Sequence, residues 1–291
     1  MNNYKYVIVS PVRNEEQFIE RTMESVIAQT IIPTEWIIMN DGSSDRTASI
    51  ISKYTAKYSW IKSFKLSDRG YYGAGAGVVE VFNKGLNELD TKDWQFVVKM
   101  DGDISFGSDY FEGIFNKFGE NKKLGIASGC TYSIYNNKLI RDNVQNDCPL
   151  GASKIYRRKC FEDIGGLKSI PGWDLADILV AQIRGWETRC FSEYRIIHYR
   201  RIGARRKGIT GGKYYLGVTH YRIGYSFSYT LLKAIYKLLD HPYFIGGIAI
   251  IAGYICSFLK RDKKYLDEET INYLRNKHRN YLFAKFKLWV K

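Results

Sequence analysis

The amino-terminal part of the chain alternates short apolar runs with amphipathic segments, and this alternation limits the fold more than any other feature. The apolar runs lie at residues 6–9 and 36–39, and a short predicted strand follows at 61–65. Between them, residues 18–29 and 46–58 have the helical spacing of apolar side chains that indicates amphipathic helices. Strands that alternate with helices predict a parallel sheet covered by helices, with functional loops at the carboxyl ends of the strands.

Polar residues follow the first two predicted strands. Asn14, with Gln17 three residues later, resembles a capping box and predicts that the first helix begins there. The loop at Pro11 follows the first strand and Asp41 follows the second, so both lie at the predicted carboxyl-end edge of the sheet. An Asp-Gly turn without a further role is the alternative interpretation of Asp41.

Two carboxylates separated by one glycine follow a further apolar run that ends at Met100. Asp101 and Asp103 then lie on the same side of the exiting chain, because side chains repeat with a period of two, and Gly102 permits a sharp turn. Mg²⁺ or Mn²⁺ takes one or two protein carboxylates and completes its coordination with water and substrate phosphates. The pair predicts a divalent-cation site that carries a diphosphate, with an ordinary surface turn as the alternative.

Three motifs occur in a fixed order: Ser-Pro-Val-Arg-Asn-Glu-Glu at 10–16, Asn-Asp-Gly-Ser-Ser-Asp at 40–45, and Asp-Gly-Asp at 101–103. Together they resemble family 2 glycosyltransferases of the GT-A fold, and the resemblance is strongest through Gly203. It implies an α/β fold and an enzyme that transfers a sugar from a nucleotide-diphosphate donor, UDP- or GDP-linked, to an acceptor hydroxyl with inversion. The implied acceptor is a lipid-linked glycan in cell-envelope or exopolysaccharide synthesis.

The same resemblance implies how the nucleotide is bound. Pro11, Val12 and Glu15 would line the nucleoside pocket, and Asp41 would contact the base, usually uracil and sometimes guanine. Arg13 stands in this pocket where many relatives have an aromatic residue. Asp101 and Asp103 correspond to the DXD motif, in which the first acid approaches the ribose or the metal and the second binds the metal.

A glycine-rich stretch at residues 70–77 follows Arg69. Backbone N–H groups of such a loop can approach a phosphate at a helix start, and Arg69 would add positive charge there. The glycines do not follow the dinucleotide-binding spacing, so a flexible start of the next helix is the alternative.

Residues 195–207 form the most basic run of the chain. They resemble the His-containing arginine loop that follows the catalytic helix in a subset of the family. Guanidinium groups bind a departing diphosphate in a bidentate manner, so we assign this role to Arg200 or Arg201. His198 is a candidate third metal ligand, with a packing or hydrogen-bonding role as the alternative. A solvated charge run or contact with lipid headgroups would also explain the arginines.

Two acids open a predicted helix that runs from Gly172 to Arg184. Asp174 and Asp177 are three residues apart and are therefore expected on one face. Sugar transfer needs a base that takes the proton of the acceptor hydroxyl. The segment resembles the Glu-Asp motif of inverting family members, which implies that Asp174 is the base. Acids at helix starts are also favoured by the helix dipole, and Asp177 is the stronger candidate for such a structural role.

The carboxyl-terminal third has a different character. Residues 243–259 contain no charged side chain, and as a helix they would reach about 26 Å, slightly short of a hydrocarbon core of about 30 Å. Basic residues follow at 260–264, and a basic amphipathic helix is predicted from Asp267. We therefore predict a catalytic domain at 1–212, with a nucleotide-binding half to about 104, and a membrane-associating region at 213–291. A short transmembrane span and a buried core helix are the alternatives.

A net charge of +14 indicates an acidic partner: nucleic acid, membrane lipid or a nucleotide-sugar diphosphate. The five cysteines include no C-x-x-C pair, which favours a reducing cytosol, and the few residues before the first strand leave no room for a signal peptide. The expected location is the cytoplasmic face of the cell membrane, peripheral or monotopic, without a nucleic-acid partner. The competing hypothesis is a non-catalytic basic protein that binds RNA or anionic lipid, which would not explain the placement of the acids.

Overall fold

The computed structural model describes residues 4–68, 75–135, 138–142, 147–200, 209–239 and 244–289. The chain divides into two compact units, Met1–Arg201 and Ile202–Lys291. The predicted domain limit at 212 stays a prediction. Arg69 and Arg201, both predicted to bind the nucleotide, lie outside the described residues.

The first unit contains a sheet with helices on both faces. Its strands are β1 (Tyr6–Val12), β2 (Glu35–Asp41), β3 (Ile61–Leu66), β4 (Phe96–Met100), β5 (Ile104–Phe106), β6 (Leu124–Tyr135), β7 (Lys138–Arg141), β8 (Ser153–Arg157) and β9 (Glu187–His198). Its helices are α1 (Ile19–Ile27), α2 (Thr47–Lys57), α3 (Ala76–Asn87), α4 (Tyr110–Glu120), α5 (Arg158–Asp163) and α6 (Trp173–Ile183).

The sheet is mixed, although the sequence predicted a mostly parallel one. Its order is β3-β2-β1-β4-β8-β6-β9-β5, with β7 paired to β6. The first four strands in this order are parallel, whereas β8 is antiparallel to β4 and β5 is antiparallel to β9. No strand-helix-strand crossover joins β4 directly to β8, since β5, α4, β6 and β7 lie between them along the chain, so nothing imposes a parallel direction on this pair.

Both faces of the parallel strands β1, β2 and β4 are buried, which explains their continuous apolar runs. Tyr6 and Ile8 belong to one hydrophobic cluster, and Val7 and Val9 belong to the cluster on the other face. The same alternation continues in β2 and β4. Packing on both faces holds these strands in place, so the loops that follow them begin at defined positions.

The predicted start of the first helix at Asn14 is wrong. The helix begins at Ile19, and Asn14 has a left-handed backbone with φ of 53°. Its backbone N–H donates to Ser43 Oγ at 3.0 Å, and its side-chain oxygen accepts from the N–H of Ser44 at 2.9 Å. Asn14 therefore joins the loop after β1 to the loop after β2, instead of capping a helix.

The second unit is helical. It contains α7 (Ile209–Ile223), α8 (Phe227–Tyr236), α9 (Ile245–Leu259), α10 (Glu268–Trp289) and a short 3₁₀ turn, Lys237–Leu239. Small residues bring α7 and α9 into backbone contact, since a side chain at Gly217 or Gly253 would collide with the carbonyl oxygen of Ile250 or Tyr214. The apolar and the basic segments predicted to be helical are helices. None of the helices in the described segments combines the length and apolar character that crossing a bilayer requires.

Two buried histidines lie between the helices of the second unit. His220 stacks on Tyr225 with ring centroids 4.3 Å apart, and His278 stacks on Tyr229 at 3.6 Å. Burial lowers the pKa of both imidazoles to about 3, and the charge of Lys233 adds to the effect. The Nδ1 atoms make no hydrogen bond among the described residues. Both histidines are therefore neutral near pH 7.

We expect the second unit to lose stability as the pH falls below about 6.5. Unfolded histidine has a pKa near 6.5, so between that value and about 3 the unfolded chain binds more protons than the folded one. Lowering the pH from 8 to 5 would cost about 2 kcal/mol per histidine. Calorimetric unfolding from pH 8 to pH 5 measures this loss. His278→Phe keeps the ring packing against Tyr229 and should make the dependence shallower, and an unchanged slope would contradict the assignment.

Candidate active site

The turn between β4 and β5 carries the two acids of the Asp-Gly-Asp motif. The backbone N–H of Asp101 donates to the carbonyl of Ala152 at 2.8 Å, which fixes the start of the turn. The end of the turn is held by Thr22 Oγ1, which lies 3.2 Å from the N and 2.7 Å from the O of Ile104. A Cβ at Gly102 would approach Val12 Cγ1 to 2.8 Å. Glycine is required because the turn lies directly against the end of β1.

Strand pairing brings His198 to the same turn. Ile104 lies opposite His198 in the β5–β9 pair, and His198 Nε2 is 3.4 Å from Asp103 Oδ1. Asp101, Asp103 and His198 each place one ligand atom within 4.8 Å of the others. Burial alone would lower the pKa of His198, but its hydrogen bond to Asp103 and the charges of both acids raise it. His198 Nδ1 is buried without a hydrogen bond in the described part of the chain.

These three side chains fit a divalent cation. Carboxylate oxygens suit Mg²⁺ and Mn²⁺, and an imidazole nitrogen is a common ligand of first-row transition metals. The predicted metal ligands are therefore brought together by the structure, whereas their role as ligands stays a prediction.

Lys99 is a buried cation next to the cluster, which sequence reasoning did not single out. Its side chain is 3% exposed, forms a salt bridge with Asp101 and donates to the carbonyl of Gly151 at 2.8 Å. Burial raises the pKa of the Asp101 carboxyl and the charge of Lys99 opposes this increase. Lys99 therefore favours the ionised carboxylate that a cation would need.

Arg200 joins the two predicted nucleotide-binding segments. Its guanidinium forms a bidentate pair with Glu15, with distances of 3.0 and 2.7 Å, although 185 residues separate the two. Arg200 Nε is also 4.0 Å from Asp103 Oδ2. The predicted phosphate-binding arginine therefore lies beside the acid cluster, oriented by a residue predicted to line the nucleoside pocket.

The nucleoside side of the site lies at the ends of β1 and β2. Arg13 donates from one nitrogen to the carbonyl of Asp41 at 3.0 Å and from another to Asp68 Oδ1 at 2.6 Å. Pro11 and Val12 are paired with β2, and Asp41 is its last residue. Sequence reasoning missed Asp68. An arginine in place of the more common aromatic residue was the available signal, because such a charge calls for a nearby acid.

The two acids of α6 do not share one open face, in contrast to the prediction. Asp174 is exposed in the first turn, whereas the carboxylate of Asp177 is buried against β8. Both oxygens of Asp177 lie 3.0 Å from Lys154 Nζ, and Tyr156 donates to Asp177 at 2.5 Å. Burial raises the pKa of Asp177 and the charge of Lys154 opposes it. Asp177 is thus held inside the fold, where its contacts are structural.

Gly151 connects the two groups of acids. Its carbonyl accepts from Lys99, which in turn pairs with Asp101. A Cβ on Gly151 would lie 3.0 Å from the ring of Trp173 and 3.7 Å from the Cβ of Asp174. Asp101, whose N–H donates to the carbonyl of Ala152, and Asp174 therefore both lie near the backbone of residues 151 and 152.

A family model described as glycosyl transferase family 2 matches residues 7–169, more than half of the chain. The chain belongs to glycosyl transferase family 2. One curated relative is a cholesterol galactosyltransferase of Borreliella burgdorferi, 28% identical over 117 residues that cover 40% of this chain and 30% of the relative. The matched segment spans less than half the length of the first curated relatives that it matches.

Solved structures show the GT-A fold of this family member. S. aureus TarS in complex with UDP-GlcNAc matches with a TM-score of 0.55 and 17% identity, over 86% of this chain and 71% of that chain. The mannosyltransferase PcManGT from Pyrobaculum calidifontis, in complex with GDP-Man and Mn²⁺, matches with a TM-score of 0.56 and 13% identity, over 98% of this chain and 82% of that chain. At these identities the likeness concerns the fold alone.

Proposed function

We propose that this family 2 member transfers a sugar from a UDP- or GDP-linked donor to an acceptor hydroxyl, with inversion at the anomeric carbon. The observation that carries the proposal is that two groups lie close to Gly151. One is the cluster of Asp101, Asp103 and His198, and the other is the exposed carboxylate of Asp174. A cluster that binds a diphosphate and a carboxylate that accepts a proton are the two parts that such a transfer needs.

The donor side has a proposed role for each group. Asp101, Asp103 and His198 would hold Mn²⁺ or Mg²⁺, which when bound supplies positive charge to the diphosphate. The nitrogen ligand favours Mn²⁺, because Mg²⁺ prefers oxygen ligands. Arg200, oriented by Glu15, stabilises the charge that develops on the leaving phosphate oxygens. Arg69 and Arg201 are proposed for the same diphosphate on the basis of sequence.

The nucleoside is assigned to the pocket of Pro11, Val12 and Asp41. The carboxylate of Asp41 is proposed to accept hydrogen bonds from the base, and its place at the end of β2 supports this. Arg13, held by Asp68, forms the rim of the pocket and presents a planar group on which a base can stack.

The acceptor side depends on Asp174. Its carboxylate takes the proton of the acceptor hydroxyl while the hydroxyl oxygen forms a bond to the anomeric carbon. The bond between that carbon and the phosphate oxygen breaks at the same time, and the nucleoside diphosphate leaves with the bonding electrons. Attack from the face opposite the leaving group inverts the configuration.

The second unit is proposed to bind an anionic membrane that contains a lipid-linked acceptor. Large apolar side chains are exposed on α8, on α9 and at the residue before α9, namely Phe227, Leu232, Ile235, Tyr236, Phe244, Ile245, Ile248, Ile255, Phe258 and Leu259. Basic residues lie beside them at Lys237, Lys260 and Arg261. Apolar insertion combined with basic attraction is the pattern of peripheral membrane binding. A curated relative named for a sterol acceptor supports a lipid acceptor here.

Ligand-induced thermal stabilisation tests the donor proposal, because a ligand that binds the folded state raises its stability by mass action. UDP- and GDP-sugars are screened with Mn²⁺, with Mg²⁺ and with EDTA. The proposal predicts stabilisation by a nucleotide sugar that needs the cation, together with cation-dependent release of the diphosphate. A basic protein that only binds RNA or lipid would release no diphosphate.

Arg200→Lys is expected to lower kcat for sugar transfer about tenfold or more, with a smaller change in the KM for the donor. Lysine keeps the charge but cannot form the bidentate contacts of the guanidinium. The matched control is Arg46→Lys, since Arg46 also pairs with a glutamate, at 3.2 Å, but is 82% exposed. Initial rates of the two variants measure the difference. Equal rates would show that Arg200 serves only to hold Glu15.

A further inference from the structure

Lys154 is a fully buried cation whose side-chain hydrogen bonds, among the described residues, all go to the helix that carries the proposed base. Its side chain has no exposed surface, and Asp177, its partner, is 2% exposed. Lys154 Nζ lies 2.7 Å from the carbonyl oxygen of Asp174 and 3.0 Å from each carboxylate oxygen of Asp177. A lysine ammonium has three N–H donors, and its three acceptor atoms all belong to the first five residues of α6.

Stability alone does not account for this arrangement. Burying an ion pair costs desolvation energy that apolar residues of similar volume avoid. A cation near the amino end of a helix is also opposed by the helix dipole. The helix start has no side-chain cap, because Gly172 occupies that position. Lys154 and Asp177 therefore do not cap the free N–H groups of this helix start, but they anchor it to β8 through the carbonyl of Asp174 and the carboxylate of Asp177.

The buried pair of Lys154 and Asp177 is connected to the cluster of Asp101, Asp103 and His198. Lys154 on β8 lies directly opposite Lys99 on β4, and Lys99 contacts Asp101. The ring of Trp173 covers both ammonium groups, with its centroid 5.3 Å from Lys99 Nζ and 5.2 Å from Lys154 Nζ. Lys99 thus contacts Asp101, and Lys154 contacts the carbonyl of Asp174. The two lysines occupy paired positions on the neighbouring strands β4 and β8.

We propose that Lys154 is a positioning residue that sets the place of Asp174 relative to Asp101, with Lys99 and Trp173 completing the connection. Lys154 acts through the main chain of Asp174 and through Asp177, and it contacts neither donor nor acceptor. The kinetic part of this inference rests on the proposed function, whereas the structural part concerns the first turn of α6 and can be tested without activity.

The test removes both charges of the buried pair. In Lys154→Met combined with Asp177→Asn no buried charge lacks a partner, and Tyr156 can still donate to the new amide. We expect a folded protein with unchanged Mn²⁺-dependent stabilisation by the donor and a kcat about 10- to 100-fold lower, because a small misplacement of a reacting group has effects of this size. Backbone amides of residues 174–178 should exchange hydrogen faster than in the wild type.

Lys154→Arg is the second variant, because it keeps the charge but replaces the compact ammonium with a longer planar group. It should also lower kcat at an unchanged KM for the donor. The control is the pair Lys62 and Glu35, 2.7 Å apart on β3 and β2 with Glu35 buried. Lys62→Met combined with Glu35→Gln should change neither kcat nor amide exchange in α6.

Three results would overturn the proposal: wild-type kcat in either Lys154 variant, unchanged amide exchange in the first turn of α6, or loss of folding in both variants, which would make the pair a stability element. If the wild type transferred no sugar from any donor, the proposed function would fail. The exchange measurement would still decide whether Lys154 positions the helix start.

Discussion

Asp103→Ala is expected to abolish cation-dependent binding of a nucleotide sugar and to lower transfer activity by at least about 100-fold. Asp103 lies between His198 and Arg200, at 3.4 and 4.0 Å, so its carboxylate is shared by the proposed metal site and the proposed phosphate site. Changes to groups that merely support a metal ligand already cost about 10- to 100-fold, and loss of a ligand should cost more. Thermal stabilisation by the donor with Mn²⁺ present, and initial transfer rates, measure both effects.

The control for this experiment is Asp93→Ala. Asp93 is 81% exposed and pairs with Lys5 at the opposite, amino-terminal end of the strands. This variant should keep the full response to Mn²⁺ and donor. If Asp103→Ala kept it as well, the cluster of Asp101, Asp103 and His198 would not be the metal site.

The architecture of the nucleotide-binding half, to about residue 104, could be predicted because local patterns determine it. Apolar runs of strand length alternate with amphipathic helices, and a parallel sheet places the residues after each strand at one edge. Asp41 and Asp101 were placed correctly by this argument alone. The period of two also placed Asp103 on the same side as Asp101, which agrees with the short distances in the cluster.

The antiparallel pairing of β8 and the true start of α1 could not be predicted in the same way. Antiparallel pairing of β8 with β4 joins segments more than 50 residues apart, and nothing local in either segment specifies the partner or its direction. Asn14 and Gln17 match a capping pattern, yet tertiary hydrogen bonds to Ser43 and Ser44 take Asn14 out of the helix. Distant contacts overrode a local preference, as they commonly do.

The ion pairs of the site show the same limit. Arg200 was predicted to bind phosphate and Glu15 to line the nucleoside pocket, but their direct pairing depends on the fold. Lys99 and Lys154 each interrupt an apolar run, at Val98–Met100 and Ser153–Tyr156. A lysine within a buried strand must find an acid, because an unpaired buried charge is too costly. The sequence carried this signal, although it did not identify Asp101 and Asp177 as the partners.

Asp174→Asn is expected to lower kcat by about 100- to 10,000-fold, the range that general-base catalysis contributes. Cation-dependent donor binding should not change, because Asp174 lies on α6 and is not part of the acid cluster. Its carboxylate is exposed and forms no salt bridge among the described residues, so the stability of the protein should also be retained. Initial rates at saturating donor and acceptor, together with thermal stabilisation by the donor, separate these effects.

Asp177→Asn provides the informative comparison, because it changes a neighbouring acid of the same helix in the same way. Removing this charge leaves Lys154 buried without its partner, so this variant should unfold at a lower temperature. The folded fraction would still contain the base and would lose less activity than Asp174→Asn does. The two acids are therefore expected to differ in kind: Asp174→Asn removes the base itself, whereas Asp177→Asn lowers stability and affects kcat only indirectly, through the loss of the contact that positions the base. Full turnover by Asp174→Asn would remove Asp174 from the mechanism and leave the acceptor base to be sought on another element.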